Sequence, residues 1–123
     1  MNKKRVDEYI PKAYKALAKC NIAKDGKIER NFRGQISSLG AAITMGSFKA
    51  AVAFFSDDGG SDIERSKLIS AIDFILNGNH REPKIILEEL LSKNNDELKK
   101  LQEEYINASI AIKLAMNLYT LTK

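Results

Sequence analysis

Apolar residues recur every three or four positions along almost the whole chain, a period that fits helices and not strands. Val6, Ile10, Ala13, Leu17 and Cys20 fall on one face of a first helix, with Lys4, Glu8, Lys12, Lys15 and Lys19 along another. Pro11 lies about two turns in, so this helix either bends there or starts late. Asp25-Gly26 marks a turn, because glycine supplies the positive φ that a tight reversal needs. Ile28, Phe32, Ile36, Leu39 and Ile43 then predict a second helix, with Gly46 at its end and Ser47 as cap of the next. That third helix carries Phe48, Ala51, Val52, Phe54 and Phe55 and reads as buried on most sides.

Ser61 and Glu64 have the S-x-x-E spacing of a capping box and predict the start of a fourth helix on Leu68, Ile69, Ile72, Ile75 and Leu76. The stretch "NGNHREP" (77–83) ends it. A short fifth helix follows on Ile85, Ile86, Leu87, Leu90 and Leu91. Asn95 or Asp96 would cap a last helix running on Leu98, Leu101, Tyr105, Ala108, Ile112, Ala115 and Tyr119. No alternating strand pattern stands out, and there is no internal repeat. The expected fold is all-α: a single domain, residues 1–123, built as a bundle of about six helices around one modest core.

Composition narrows the function. Hydrophobic residues make up 44% and charged residues 29% of the 123, which suits a globular chain. No apolar run approaches the roughly 20 residues that span a bilayer, so no membrane partner is expected. The single cysteine and the lack of an apolar segment behind the basic start point to a cytoplasmic protein. The net charge of +4 is unevenly spread: residues 1–34 hold ten Lys/Arg against four acids, and the rest is slightly acidic. A basic front end on a near-neutral body is compatible with a polyanion partner.

Nothing in the sequence assembles a catalytic or metal site. His80 is the lone histidine and sits in a Gly/Asn loop, with no partner in sequence to orient it. Cys20 lies on an apolar stripe, where burial raises a thiol pKa. Gly34, Gly40 and Gly46 match neither phosphate-loop nor dinucleotide spacing. The acid pairs 57/58, 88/89 and 103/104 are adjacent and do not share a helix face. No catalytic residue, metal ligand or cofactor is expected.

The basic residues divide into two groups. Lys24, Lys27, Arg30 and Arg33 form one cluster; Lys12, Lys15 and Lys19 form a row on the first helix. Either group could meet phosphates, blind to base sequence, or simply face water. The segment "RGQISSLGAAI" (33–43) raises a separate question. Glycine inside a helix costs about 1 kcal/mol relative to alanine. The strip Gly34, Ser38, Ala41 and Ala42 would let another backbone approach closely. The simpler reading is internal packing, with the second helix at the centre of the bundle; the alternative is that part of the strip docks another subunit.

Four blocks carry a resemblance: "YIPKAYKAL" (9–17), "GKIERNFRGQISSLGAAITMGSFKAAVAFFSD" (26–57), "SKLISAIDFIL" (66–76) and "INASIAIKLAMNLYTLTK" (106–123). Together they resemble the small subunit of the Cmr-type (type III-B) CRISPR effector complex. The middle block is the specific part. The resemblance implies an all-helical, non-catalytic protein whose copies stack into the minor filament of a ribonucleoprotein, beside the large subunit. It would lie along the guide RNA–target RNA duplex, with cleavage left to a backbone subunit and sequence read by base pairing. Arg33, in the matching Arg-Gly block, is the first candidate for RNA-backbone contact. Arg30, Lys27, Lys24, Lys12, Lys19 and Lys113 follow. Phe32, Phe48, Phe54 and Phe55 read as buried, which argues against base stacking as the main binding mode. A helical protein–protein adaptor and a free-standing, non-specific nucleic-acid-binding module are the other classes the sequence allows.

Overall fold

In a computed structural model that describes all 123 residues, six helices enclose one core. They are α1 (Lys3–Lys19), α2 (Asn31–Met45), α3 (Phe48–Phe55), α4 (Ser66–Asn77), α5 (Pro83–Leu91) and α6 (Asn95–Ala115). The architecture is the predominantly helical one that the periodicity predicts. α6 is the central element and packs on α1, α2 and α4. Its Ala108, Ala111, Ile112 and Ala115 are fully buried, as are Ala13, Ala16 and Leu17 of α1. These small residues let α1 and α6 pack closely, with Asn107 accepting from the Asn2 N–H at 3.0 Å and Tyr9 donating its hydroxyl to Glu104.

α1 begins early and continues through Pro11. Asn2 caps it by accepting from the Arg5 N–H at 3.1 Å. Pro11 is exposed, so the carbonyl that loses its helical donor faces water. The late start is therefore corrected.

A small sheet is the main departure from an all-helical chain. β1 (Ala23–Lys24) and β2 (Lys27–Glu29) form an antiparallel hairpin, and β3 (Thr120–Thr122) joins β2 in parallel. Asp25 and Gly26 turn the hairpin with φ of 53° and 75°. Ile28, which continues the apolar period of α2, belongs to β2 and is buried there. α2 starts only at Asn31, because the backbone of residues 27–30 is taken by the hairpin and the C-terminal strand: Thr122 O accepts from the Arg30 N–H at 2.6 Å.

Three local expectations also change. The Ser61/Glu64 box does not start α4. Asp58 reaches across the loop instead, accepting from the Ser66 N–H at 2.9 Å and its hydroxyl at 2.8 Å. α6 is capped by Asn94 rather than Asn95 or Asp96, in a reciprocal box with Glu97. α3 buries Phe48, Ala51, Val52 and Phe55, but Phe54 is 59% exposed because this short helix lies at the edge of the bundle. The expected Ser47 cap of α3 is present, and Gly78 ends α4 at a φ of 83°.

Candidate nucleic-acid interface

The strip of small residues on α2 does not lie at the centre of the bundle. The core face of α2 is Phe32, Ile36, Leu39 and Ile43. Gly34, Ser38 and Ala41 face outward, Ala42 is half-buried, and of these glycines only Gly40 abuts another helix: an added Cβ would lie 3.4 Å from Ser109 Oγ of α6. Internal packing accounts for Gly40 and in part for Ala42, and not for Gly34, Ser38 and Ala41.

Gly34 and Ser38, with Ser37 beside them, form one wall of a groove of about 700 Å³. The other wall is the loop between α3 and α4, with Gly60, Ser61, Asp62 and Ile63, and the end of α6 adds Lys113. The lining is almost wholly polar. Four cations, Arg30, Arg33, Arg65 and Lys113, stand against one acid, Asp62. None of the four has a carboxylate within 4.0 Å. Arg33 instead donates from Nη1 to Asn117 Oδ1 at 2.6 Å, which holds the guanidinium without neutralising it.

Helix polarity adds to this field. Arg30 and Arg33 lie at the N-cap and third position of α2, whose first turn has no acid and whose N-cap makes no side-chain bond. The N-terminus of a helix carries a partial positive charge, so two arginines there work against the dipole while making the groove more attractive to an anion.

A second hollow, about 440 Å³, adjoins the first through Asp62 and Ile63. It holds Lys24, Lys27 and Lys67, but also Glu29, Asp62 and Glu64, and Lys67 is already paired with Glu64 at 3.2 Å. Its charge is balanced. Of the seven basic residues singled out from sequence, Arg30, Arg33 and Lys113 thus share the cationic groove, and Lys24 and Lys27 line its neutral neighbour. Lys12 and Lys19 lie exposed on α1 and line neither; Lys12 sits 5.7 Å from the Tyr9 ring centroid.

Sequence reasoning missed Arg65. It is 8% exposed; its Nε and Nη2 donate to Asp57 O at 2.9 Å and Phe54 O at 3.2 Å, and its guanidinium lies 4.2 Å from the Phe54 ring centroid. No local pattern could reveal it, because its partners are Phe54 of α3 and Asp57 just beyond it, eleven and eight residues back.

The groups expected to be inert sit accordingly. Cys20 is buried, and burial pushes its thiol up to about 11. His80 is exposed between α4 and α5. No helix is long and apolar enough to cross a membrane.

A family model described as "CRISPR-associated protein (Cas_Cmr5)" matches residues 6–115. That span takes in every helix described above except the first turn of α1, and it contains all the cations of the groove. No curated protein and no solved structure matches the chain. The match agrees with the resemblance carried by the sequence blocks: the chain belongs to the Cas_Cmr5 family of CRISPR-associated proteins and is a subunit of a Cmr-type, multi-subunit CRISPR complex.

Proposed function

We propose that this chain is a non-catalytic small subunit of a type III-B CRISPR ribonucleoprotein effector. It stacks with copies of itself beside the large subunit in the cytoplasm, and it contacts the RNA backbone along the guide–target duplex. The observation that carries the RNA contact is the groove: four cations against one acid, on a wall of small outward-facing residues. A surface of that kind favours phosphates and is indifferent to base sequence. The raised Cys20 thiol and the exposed position of His80 support a subunit without chemistry of its own.

The test is reversal of Lys24, Lys27, Arg30 and Arg33 to Glu, with two readouts. Single-stranded RNA affinity is measured at several salt concentrations, and co-purification with the other effector subunits is followed in parallel. The reading expects RNA affinity to collapse while the RNA-free protein contacts persist. Unchanged RNA behaviour would instead support the pure adaptor.

A further inference from the structure

Gly34 has no internal reason to be glycine. It is exposed inside α2, its φ lies outside the left-handed range, and a Cβ built on it would meet nothing within 4 Å. Alanine would suit the helix better and touch nothing in this chain. The bareness of the backbone at this point therefore serves something outside it. Gly34 also lines the cationic groove, next to Arg33.

Arg65 supplies a second, independent observation. A largely buried arginine ordinarily has a carboxylate beside it, because charge is costly away from water. Arg65 has two carbonyl oxygens and an aromatic face, and no carboxylate within 4.0 Å. Its charge is held in the groove wall, facing a space lined by Arg30, Arg33 and Lys113.

We propose that the groove is a seat for one phosphodiester of an RNA strand. The phosphate lies against the bare backbone of α2 at Gly34, Arg33 and Lys113 supply donors from the rim, and Arg65 is the fixed charge of the wall. This rests on the RNA-backbone reading above and adds to it a defined contact point and a glycine kept for close approach. A side chain at position 34 would hold the strand off the helix and lengthen every charge-assisted bond in the seat.

The test separates binding from folding because the two should move in opposite directions. Full-length wild type, Gly34→Ala and Gly34→Leu are compared for thermal midpoint and for binding of a fluorescent single-stranded RNA, with the Arg30→Glu/Arg33→Glu double variant alongside. The expected result is an unchanged or raised midpoint for both Gly34 variants. RNA affinity should fall about tenfold for Leu and less for Ala, a loss typical of one displaced contact. Gly34→Ala adds a single methyl group, so it reports on the seat even if the larger side chain disturbs the fold. If both Gly34 variants bind as wild type while the double variant binds poorly, the seat is wrong and the RNA-contact reading stands. If the double variant also binds as wild type, both fall.

Discussion

Two arginine environments in this molecule differ in how their charge is answered. Arg81, between α4 and α5, makes a two-pronged pair with the buried Asp73 at 2.9 and 2.7 Å and a third bond to Glu89 at 2.6 Å. Asn77 supports Asp73 at 2.7 Å, and Ser70 donates to the carbonyl of Arg81 at 2.8 Å. Every charge there is answered within the chain, and the network ties α4, its following loop and α5 together. In the groove on the α2 side, Arg30, Arg33, Arg65 and Lys113 are left without acidic partners. The same residue type is charge-paired within the chain in one place and meets only neutral acceptors or solvent in the other.

The contrast gives graded expectations. The largest effect should come from Arg81→Ala, which strands the buried Asp73 carboxylate. Denaturant unfolding should show a loss of about 3–5 kcal/mol. A loss under 1 kcal/mol would mean the network is incidental. Arg65→Ala comes next at roughly 2–3 kcal/mol, since it removes two charged hydrogen bonds and the contact with Phe54. Its cost should fall on the 56–65 loop, read as faster amide exchange there.

A smaller effect is pH-dependent. The hydrogen bond from Arg81 holds the Glu89 carboxyl below its ordinary range. A lowered folded value contributes stability that is present above the ordinary glutamate range and is lost as pH falls through the lowered one. Glu89→Gln should therefore flatten the acid side of the stability profile by no more than about 1 kcal/mol, because the side chain is half exposed. The smallest change in stability belongs to Arg30→Glu/Arg33→Glu, within about 0.5 kcal/mol. Reversal there relieves two positive charges at a helix N-terminus, so a destabilisation above 2 kcal/mol would break the comparison.

How much of this the sequence disclosed follows from the range of each interaction. The helices were legible because their apolar spacing is local: Val6 to Cys20, Phe32 to Ile43, and Leu98 to Ala115 all lie where the period puts them. Ile28 misled because it keeps the period while its backbone pairs with Leu121, far away in sequence. The start of α4 misled because Asp58 caps Ser66 from across a loop, and a matching S-x-x-E spacing cannot exclude a rival cap. The small-residue strip was visible as a strip, but its direction was not; Phe32, Ile36, Leu39 and Ile43 had to claim the core face first. Arg30, Arg33 and Lys113 could be named as basic, but only the packing of α2, α6 and the 56–65 loop brings them together and adds Arg65.

The proposal that most needs testing is that the groove's open charge meets an RNA backbone. Its most direct test is the salt dependence of single-stranded RNA binding by wild type and by Arg33→Ala/Lys113→Ala. Affinity should fall steeply with salt in the wild type, and the log–log slope should become shallower by about 1.4 in the variant, roughly 0.7 for each lost phosphate contact. Parallel slopes for the two proteins would contradict it and assign these cations to water.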